Sequence, residues 1–501
     1  MQKQRTGSVV WVVVALAAWS AAAVWFYSSR GWLLYYGDAE AHLNIARRMV
    51  DSQTPGYDQI GTVWLPLPHW LMLPFVRADE WWRSGLAGSI SAAACFAMAG
   101  AFLFAAVRRA FACPAAAVAA TALFALNPNL LYVQSTAMTE AVFFAALMAL
   151  LYFSVRFRET QGWGAVAGAG LAACAGTLVR YEGWFLIPFA ALYFLCAARR
   201  RRVGVALVFC ALGALGPFYW LAHNWWLASD PLGFYRGPYS ALAIQGNQPY
   251  PGKGDWPKAW LYFRTAAQLC SGPGLALMAM AGAAGSLAKR VFWPLALLAL
   301  PGVFYIWSVH SSATPIFVPT LWPNSYYNAR YGLAALPLLV VASAGLVAMV
   351  PPRWRAITAA LVVAAGTVHW MVHPRPGNWV VWEESRVNSE SRRAWIRETA
   401  EYLAPRYVRG SGIVTSFGDL TGIYRRMGIP LRETFTADNG LPWLAAMRRP
   451  GLYLWQEWAV AVRGDAVAEA VVRDGRYSLE KSIMVKGAPA IEIYRRTGGN
   501  P

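Results

Sequence analysis

The amino-acid sequence predicts an α-helical polytopic membrane protein that ends in a smaller α+β domain. Hydrophobic residues make up 57% of the 501 residues. Eleven apolar runs approach the roughly 20 residues that a helix needs to cross a bilayer. From about Gly377 onward, mixed polar and apolar sequence replaces these runs. The chain is therefore expected to divide into a membrane module, residues 1–376, and a soluble domain, residues 377–501.

The membrane module is expected to contain about eleven transmembrane helices. They are predicted at residues 9–27, 86–107, 114–133, 140–155, 163–179, 184–198, 204–222, 267–288, 291–309, 331–350 and 356–373. Three longer outer connections cover residues 28–85, 223–266 and 310–330. Connections of this length are often functional, so they are the first places to look for a site.

The distribution of basic residues predicts the orientation of the membrane module. The N-terminal segment and the five short connections on its side hold 14 Lys and Arg residues but one acid, Glu159. One of these connections carries the pair Lys289-Arg290. Because cytoplasmic connections are rich in Lys and Arg, the N-terminus is predicted in the cytoplasm and the C-terminal domain outside.

The net charge of +19 is only partly explained by this topology. The remainder predicts a basic outer surface, which suits anionic lipid headgroups or lipid-linked phosphates. It does not indicate a nucleic-acid-binding protein.

The C-terminal domain has the alternating pattern of a small α+β module. Helices are predicted at residues 389–405 and 465–473, and strands at residues 412–417, 452–460, 477–484 and 488–494. The domain carries no His/Cys cluster and no glycine-rich phosphate loop. We therefore expect it to cover the membrane site or to recruit an acceptor.

The segment YYGDAEAHLNIARRMV, residues 35–50, holds the first candidate site residues. If Asp38 caps a helix, Asp38 and His42 lie one turn apart on one face, and Glu40 lies roughly opposite. The two acids then point at one atom only if Asp38 belongs to the preceding loop, which Gly37 would allow. The simpler alternative is a helix cap followed by a solvated acid.

An outer Asp-x-Glu on a helix that follows an N-terminal span resembles the GT-C superfamily of polytopic glycosyltransferases. This superfamily includes protein O-mannosyltransferases of glycosyltransferase family 39, aminoarabinose transferases and oligosaccharyltransferase catalytic subunits. Three further segments agree: LNPNLLYVQSTAMTE, which ends in Glu140; TLVRYEGW, with Arg180 and Glu182; and NARYGLAALP, with Arg330 and Tyr331. The resemblance covers most of residues 1–350.

The resemblance implies an inverting glycosyltransferase of the bacterial inner membrane. Such an enzyme moves a sugar from a polyprenyl-phosphate carrier to a glycan, lipid or protein acceptor on the outer, periplasmic face. Asp38 would be the general base that deprotonates the acceptor, because a carboxylate is ionised at neutral pH and accepts a hydroxyl proton. Glu40 would assist by orienting the substrate or by reaching a metal ion.

The leaving group in this reaction is a phosphate, which needs fixed positive charge or a metal ion. Arg180 and Arg330 are the best candidates, since both interrupt the ends of apolar runs, where an unpaired charge is costly. Two alternatives stay open: Arg180 could pair with Glu140 or Glu182, and Arg330 could extend its head group to the membrane interface. Tyr331, which follows Arg330, is a further candidate substrate-binding residue.

The proline-rich segment TVWLPLPHWLMLP departs from the family pattern. Aminoarabinose-transferase-like members carry a Lys before the prolines, whereas this chain reads Trp64-Leu65-Pro66. His69 or Arg330 would then replace that lysine at the phosphate, although a lone interfacial histidine is more often structural.

A divalent metal ion, Mg²⁺ or Mn²⁺, is a further hypothesis rather than a firm expectation. Asp38, Glu40 and His42 could supply oxygen and nitrogen ligands, but no spacing in the sequence dictates such a site.

The alternative function is a membrane transporter or lipid flippase for envelope precursors. It predicts ionisable residues near the bilayer midplane, or a repeated pair of broken helices. The acids instead crowd the outer ends of the apolar runs, and the sequence shows no clear internal repeat. A glycosyltransferase is therefore the preferred interpretation.

Overall fold

The computed structural model describes residues 2–288, 291–418 and 421–497. Helices make up most of this part of the chain, and a single small sheet is formed by residues near the C-terminus. The predicted class, an α-helical membrane protein with a C-terminal α+β region, is confirmed. The basic pair Lys289-Arg290 of the predicted topology lies outside the described residues.

The chain forms two compact units. The first, here called the helical unit, comprises Met1–Arg30, Thr62–Pro68 and Ser91–Glu384. The second, here called the sheet unit, comprises Gly31–Gly61, His69–Ile90 and Ser385–Pro501. Most of the first long connection therefore folds with the C-terminal residues.

Within the described residues, seven helices are long and apolar enough to cross a membrane. They are Val9–Ser28, Leu86–Ala110, Glu140–Thr160, Arg202–Ala228, Trp293–Ser311, Ala329–Met349 and Pro352–Val372. Two bent pairs pass the same test, Pro114–Ala125 with Pro128–Gln134 and Trp256–Ser271 with Pro273–Ala288. The count of candidate spans is thus seven, or up to nine if each bent pair is one span.

The sequence predicts about eleven spans, two more than the nine counted when each bent pair is one span. Two helices that are too short to meet the length criterion account for this difference. The runs predicted at residues 163–179 and 184–198 form Trp163–Thr177 and Glu182–Ala197, of 15 and 16 residues. Both are apolar but shorter than the roughly 20 residues that a perpendicular span needs. The break between them is where Arg180 lies.

Proline and glycine account for the two bends. Pro128 starts the second helix of its pair, and the Asn127 side chain caps that helix by accepting from the Leu130 amide at 3.0 Å. In the other pair, Gly272 has a φ of +83° and Pro273 follows. These residues end one helix and begin the next, with bends of 66° and 105°.

The sheet has five strands: β1, Ile413–Thr415; β2, Thr434–Phe435; β3, Trp458–Val462; β4, Tyr477–Ile483; and β5, Ile491–Arg496. Their order in the sheet is β2-β1-β3-β5-β4. β1 pairs in parallel with β2 and β3, whereas β5 pairs antiparallel with β3 and β4. The sheet is therefore mixed.

Helices of the sheet unit belong to two hydrophobic cores that share the strands. Residues alternate between the cores along a strand, as Trp458 and Val460 belong to one core and Ala459 and Ala461 to the other. The first core includes residues of helices Glu390–Leu403 and Gly422–Met427; the second includes residues of Leu441–Arg448 and Ala466–Asp474. The sheet unit also contains Gly37–Arg48 and Asp79–Ser84.

The predicted elements of the C-terminal domain are largely present. The helices predicted at residues 389–405 and 465–473 form, and the second is capped by Asp465. The strand predicted at residues 452–460 begins only at Trp458, because Pro450 starts the short helix Pro450–Tyr453. β2 was not predicted, since two residues give no periodic signal.

Candidate active site

The break between helices Trp163–Thr177 and Glu182–Ala197 positions Arg180 in the helical unit. The Arg180 amide donates to the Gly176 carbonyl at 3.1 Å, and the Gly183 amide donates to the Arg180 carbonyl at 3.0 Å. A Cβ atom on Gly183 would lie 2.5 Å from the Gly176 carbonyl oxygen. Only glycine therefore permits this close approach of the two helices around Arg180.

The proline-rich segment Thr62–Pro68 packs beside the same break. The Leu67 amide donates to the Leu178 carbonyl at 3.0 Å, and the Tyr181 hydroxyl donates to the Val63 carbonyl at 2.8 Å. These two hydrogen bonds fix the proline-rich segment against the residues between the two helices.

The Arg180 guanidinium is bound on all three of its nitrogens. Nε donates to Glu182 Oε1 at 2.6 Å, Nη1 to Glu140 Oε1 at 3.1 Å and to Thr139 Oγ1 at 2.7 Å. Nη2 donates to the Tyr305 hydroxyl. The alternative raised by the sequence, in which Arg180 pairs with Glu140 or Glu182, is thus realised with both acids.

Arg330 belongs to the same cluster but makes longer contacts. It lies in the 3₁₀ helix Ala329–Ala335, where Nε is 3.3 Å from Glu140 Oε1 and Nη1 is 3.5 Å from Glu384 Oε1. Only 8% of its side chain is exposed. An arginine that extends to the interface would keep its head group in water, so this burial speaks against that alternative.

Two tyrosines complete the cluster. The Tyr331 ring lies near both guanidinium carbons, at 5.5 Å for Arg180 and 5.2 Å for Arg330. Tyr305 stacks on Tyr331 with ring centroids 4.5 Å apart, and its hydroxyl donates to Glu182 Oε1 at 2.8 Å. Sequence reasoning missed Tyr305, because a single tyrosine inside an apolar run gives no signal that separates it from ordinary packing residues.

These side chains line a narrow cavity. Its walls are formed by Glu140, Phe143, Phe144, Arg180, Glu182, Tyr305, Arg330, Tyr331 and Ala334. The two arginines and two glutamates of this lining carry equal and opposite formal charges, which lowers the cost of burying them. Within the described residues, Glu140 Oε2 is buried and accepts no hydrogen bond. The cavity therefore offers both guanidinium donors and a carboxylate acceptor.

In the sheet unit, Asp38 occupies the first turn of the helix Gly37–Arg48. The expectation that Asp38 caps this helix is wrong, and so is the alternative that it lies in the preceding loop. Gly37 already has helical geometry, and the capping position is Tyr36, which makes no side-chain cap. Asp38 is half-buried, and its negative charge is favourable at the positive end of the helix dipole.

The other residues of this segment face the interior of the sheet unit. Glu40 is only 1% exposed and pairs with two arginines, Arg392 and Arg425. His42 and His69 are both buried, with His42 Nδ1 2.9 Å from His69 Nε2. The structure therefore brings His69 to the face of the helix one turn after Asp38.

The described ranges 2–288, 291–418 and 421–497 contain no set of side chains that could bind a metal ion. No three His, Cys, Asp or Glu side chains in them are grouped so that they could hold an ion, and this includes Asp38, Glu40 and His42. Metal dependence therefore stays a hypothesis.

The described geometry can be compared with known proteins. Residues 66–226 match a sequence model of the dolichyl-phosphate-mannose-protein mannosyltransferase family. A search of curated proteins gives no match. Among solved structures, ArnT from Cupriavidus metallidurans bound to undecaprenyl phosphate is similar, with a TM-score of 0.58 and 12% identity over 98% of each chain. The same ArnT in the apo state gives 0.57 and 13% identity over 99% of each chain.

These matches concern the fold of the chain and one stretch of its sequence, residues 66–226. The chain has the fold of ArnT, and the resemblance to GT-C membrane glycosyltransferases that its motifs indicate is confirmed. The family match over residues 66–226 supports glycosyltransferase activity in general. At 12–13% identity the structural likeness concerns the fold alone.

Proposed function

We propose that the chain is an inverting glycosyltransferase that moves a sugar from a polyprenyl-phosphate carrier to a glycan, lipid or protein acceptor. The observation that carries this proposal is the buried cluster in which Arg180 and Arg330 meet at one cavity. The ArnT whose fold the chain shares binds undecaprenyl phosphate. A lipid-linked phosphate is a ligand that two arginines beside an apolar wall would suit.

In this proposal the two arginines stabilise the departing phosphate. Negative charge develops on the leaving oxygen as its bond to the sugar breaks, and fixed donors at that point lower the barrier. Arg330 would offer its planar guanidinium to the phosphate, because its buried side chain lines the same cavity. Arg180, which donates to Glu140, Glu182 and Thr139, would hold the neighbouring side chains of the cluster in position.

Asp38 is proposed as the general base. The acceptor oxygen attacks the anomeric carbon while its proton passes to the Asp38 carboxylate. The bond between that carbon and the phosphate oxygen breaks, and its electron pair leaves with polyprenyl phosphate. Attack from the side opposite the phosphate inverts the configuration of the sugar.

The proposed location is the inner membrane of a bacterium, with the reaction on the outer face. The support is the charge pattern of the short connections, in which basic residues greatly outnumber acids. This pattern predicts a cytoplasmic N-terminus and a periplasmic C-terminal domain.

The test is sugar transfer in reconstituted vesicles. Radiolabelled sugars on a panel of polyprenyl-phosphate carriers are offered to the intact protein, to Asp38→Asn and to the matched control Asp58→Asn. Asp58 lies in the same connection, is exposed, and has no proposed role. Loss of a general base typically lowers the rate by about 10²–10⁴-fold, so we expect transfer to collapse in Asp38→Asn and persist in the control.

Two results would contradict the proposal. Equal transfer by Asp38→Asn and the intact protein removes Asp38 as the base and directs attention to Glu140. Absence of transfer from every donor, together with saturable movement of lipid across the vesicle, supports the transporter instead. That alternative has one observation in its favour, because the described residues contain two bent helix pairs.

A further inference from the structure

The carboxylate of Glu40 is held by one arginine on each oxygen. Arg392 Nη1 lies 3.3 Å from Oε2, and Arg425 Nη2 lies 3.1 Å from Oε1. The arginine side chains are themselves only 11% and 18% exposed. Burial of a charge is costly unless it is paired, so this arrangement fixes Glu40 in place.

The same two arginines also hold the backbone around the helix start. Arg392 Nη2 donates to the carbonyls of Tyr35 at 2.7 Å and Leu34 at 3.2 Å. Arg425 Nη1 donates to the Arg83 carbonyl at 2.6 Å. Each arginine therefore joins the Glu40 carboxylate to a neighbouring stretch of the first connection.

The backbone of Gly422 closes the third side of this carboxylate. A Cβ atom there would lie 2.5 Å from Glu40 Oε1. The helix Gly422–Met427, which carries Arg425, can approach Glu40 this closely because its first residue is glycine.

We propose that Glu40 is a positioning residue, through which Arg392 and Arg425 hold Asp38 at the start of its helix. The inference rests on the proposed function, in which Asp38 is the base. Asp38 lies two residues before Glu40 in the same helical turn, and Arg392 also fixes the two residues that precede the helix cap. Both Glu40 oxygens are taken by arginines, so Glu40 acts on the reaction through Asp38 instead of contacting the substrate.

The experiment requires variants that loosen this contact without unfolding the protein. Glu40→Gln would leave two buried arginines without a counter-charge, so it is unsuitable. Glu40→Asp keeps the charge but withdraws the carboxylate by one methylene, and Arg425→Gln leaves Glu40 paired with Arg392. The matched control is Arg432→Gln, because Arg432 also pairs with an acid of the first connection, Asp51, at 3.0 Å.

Two readouts are taken on the full-length protein in nanodiscs. Steady-state transfer gives kcat and KM, and mass spectrometry gives the hydrogen exchange of amides in residues 33–45. A small misplacement of a catalytic group can cost up to about 10²-fold in rate, so we expect kcat to fall about tenfold or more in Glu40→Asp and Arg425→Gln. KM should stay within about twofold, since substrate binding is not removed. Exchange in residues 33–45 should accelerate in Arg425→Gln and not in Arg432→Gln.

Three outcomes would overturn the inference. Unchanged kcat in both Glu40→Asp and Arg425→Gln, whatever the exchange, makes the ion pairs purely structural. An equal loss of kcat in Arg432→Gln would show that loss of any ion pair in the sheet unit lowers the rate, so that the pairs of Glu40 have no special role. Unchanged exchange in Arg425→Gln means that the arginine does not hold the helix start. If the intact protein transfers no sugar, the proposed function fails, and the exchange experiment still decides whether the arginines hold this turn.

Discussion

Two arginines meet three glutamates in the helical unit, Glu140, Glu182 and Glu384, but a single glutamate in the sheet unit. In the helical unit, Arg180 and Arg330 share one oxygen of Glu140, and its other oxygen lies beside a cavity. In the sheet unit, the single acid Glu40 receives an arginine on each oxygen. A carboxylate with both oxygens held is a structural anchor, whereas a shared carboxylate beside a cavity leaves bonding capacity for a ligand.

Among variants of the helical unit, the largest effect should come from Arg330, because its buried guanidinium lines the cavity proposed for the phosphate. Arg330→Lys keeps the positive charge but loses the planar fork that matches phosphate. Since removal of one transition-state donor costs about 10²–10³-fold, we expect kcat for sugar transfer to fall by about 10²-fold.

The control for this variant is Arg236→Lys, which alters an exposed ion pair with Asp230 in the same unit. Exposed pairs contribute little, so its activity should change less than about twofold. Comparable activity in Arg330→Lys and the intact protein would remove Arg330 from the phosphate site.

A smaller effect of opposite sign is expected at Glu140. Glu140→Gln removes the charge that competes with an anion for both arginines, and Arg180 retains Glu182. Polyprenyl phosphate should then bind about tenfold more tightly, equivalent to ~1.4 kcal/mol of weakened competition. Isothermal titration in detergent measures this change.

Asp230→Asn is the matched control, since it removes an acid from the exposed pair with Arg236. Its Kd for polyprenyl phosphate should match that of the intact protein. Weaker binding by Glu140→Gln would show that Glu140 itself holds the ligand, and the contrast between the two units would then be lost.

The last effect, predicted for Tyr305→Phe, is on stability instead of on turnover or binding. The variant removes the hydroxyl that joins Arg180 to Glu182 but keeps the ring that stacks on Tyr331. Loss of hydrogen bonds to buried groups should lower the free energy of unfolding by about 1–3 kcal/mol. Thermal unfolding in detergent tests this, with Tyr193→Phe as a control, because the Tyr193 hydroxyl contacts only the Ser154 carbonyl at 2.9 Å among the described hydrogen bonds.

The sequence predicted the features that depend on local composition. Within the described residues each apolar run lies on a helix or on a bent pair of helices, because hydropathy and helix propensity both depend on neighbouring residues. The resemblance of three short segments to GT-C glycosyltransferases placed Glu140, Arg180, Glu182, Arg330 and Tyr331 among the candidates, and the structure brings these five together. Their roles toward substrate stay predictions.

What the sequence could not predict depends on pairing between distant segments. Glu384 follows the last apolar run, and nothing in the sequence distinguishes it from other acids. Only the structure shows that it lies beside Arg330. Arg392 and Arg425 are two of many arginines in the C-terminal residues, and no spacing marks them as partners of Glu40. The start of the helix at Gly37 was missed because its cap is Tyr36, and tyrosine is not among the residue types that usually mark a helix cap.

The ion pair between Glu40 and Arg425 joins residues 385 positions apart. A ribosome adds residues at about 5–20 per second, so the first connection waits on the order of tens of seconds for the arginine that completes it. Throughout that interval the growing polypeptide has Asp38 and Glu40 but not Arg425. A chain that ends before Arg425 is thus expected to lack one of the two contacts that fix Glu40, and the start of the helix that carries Asp38 should be held less firmly in it.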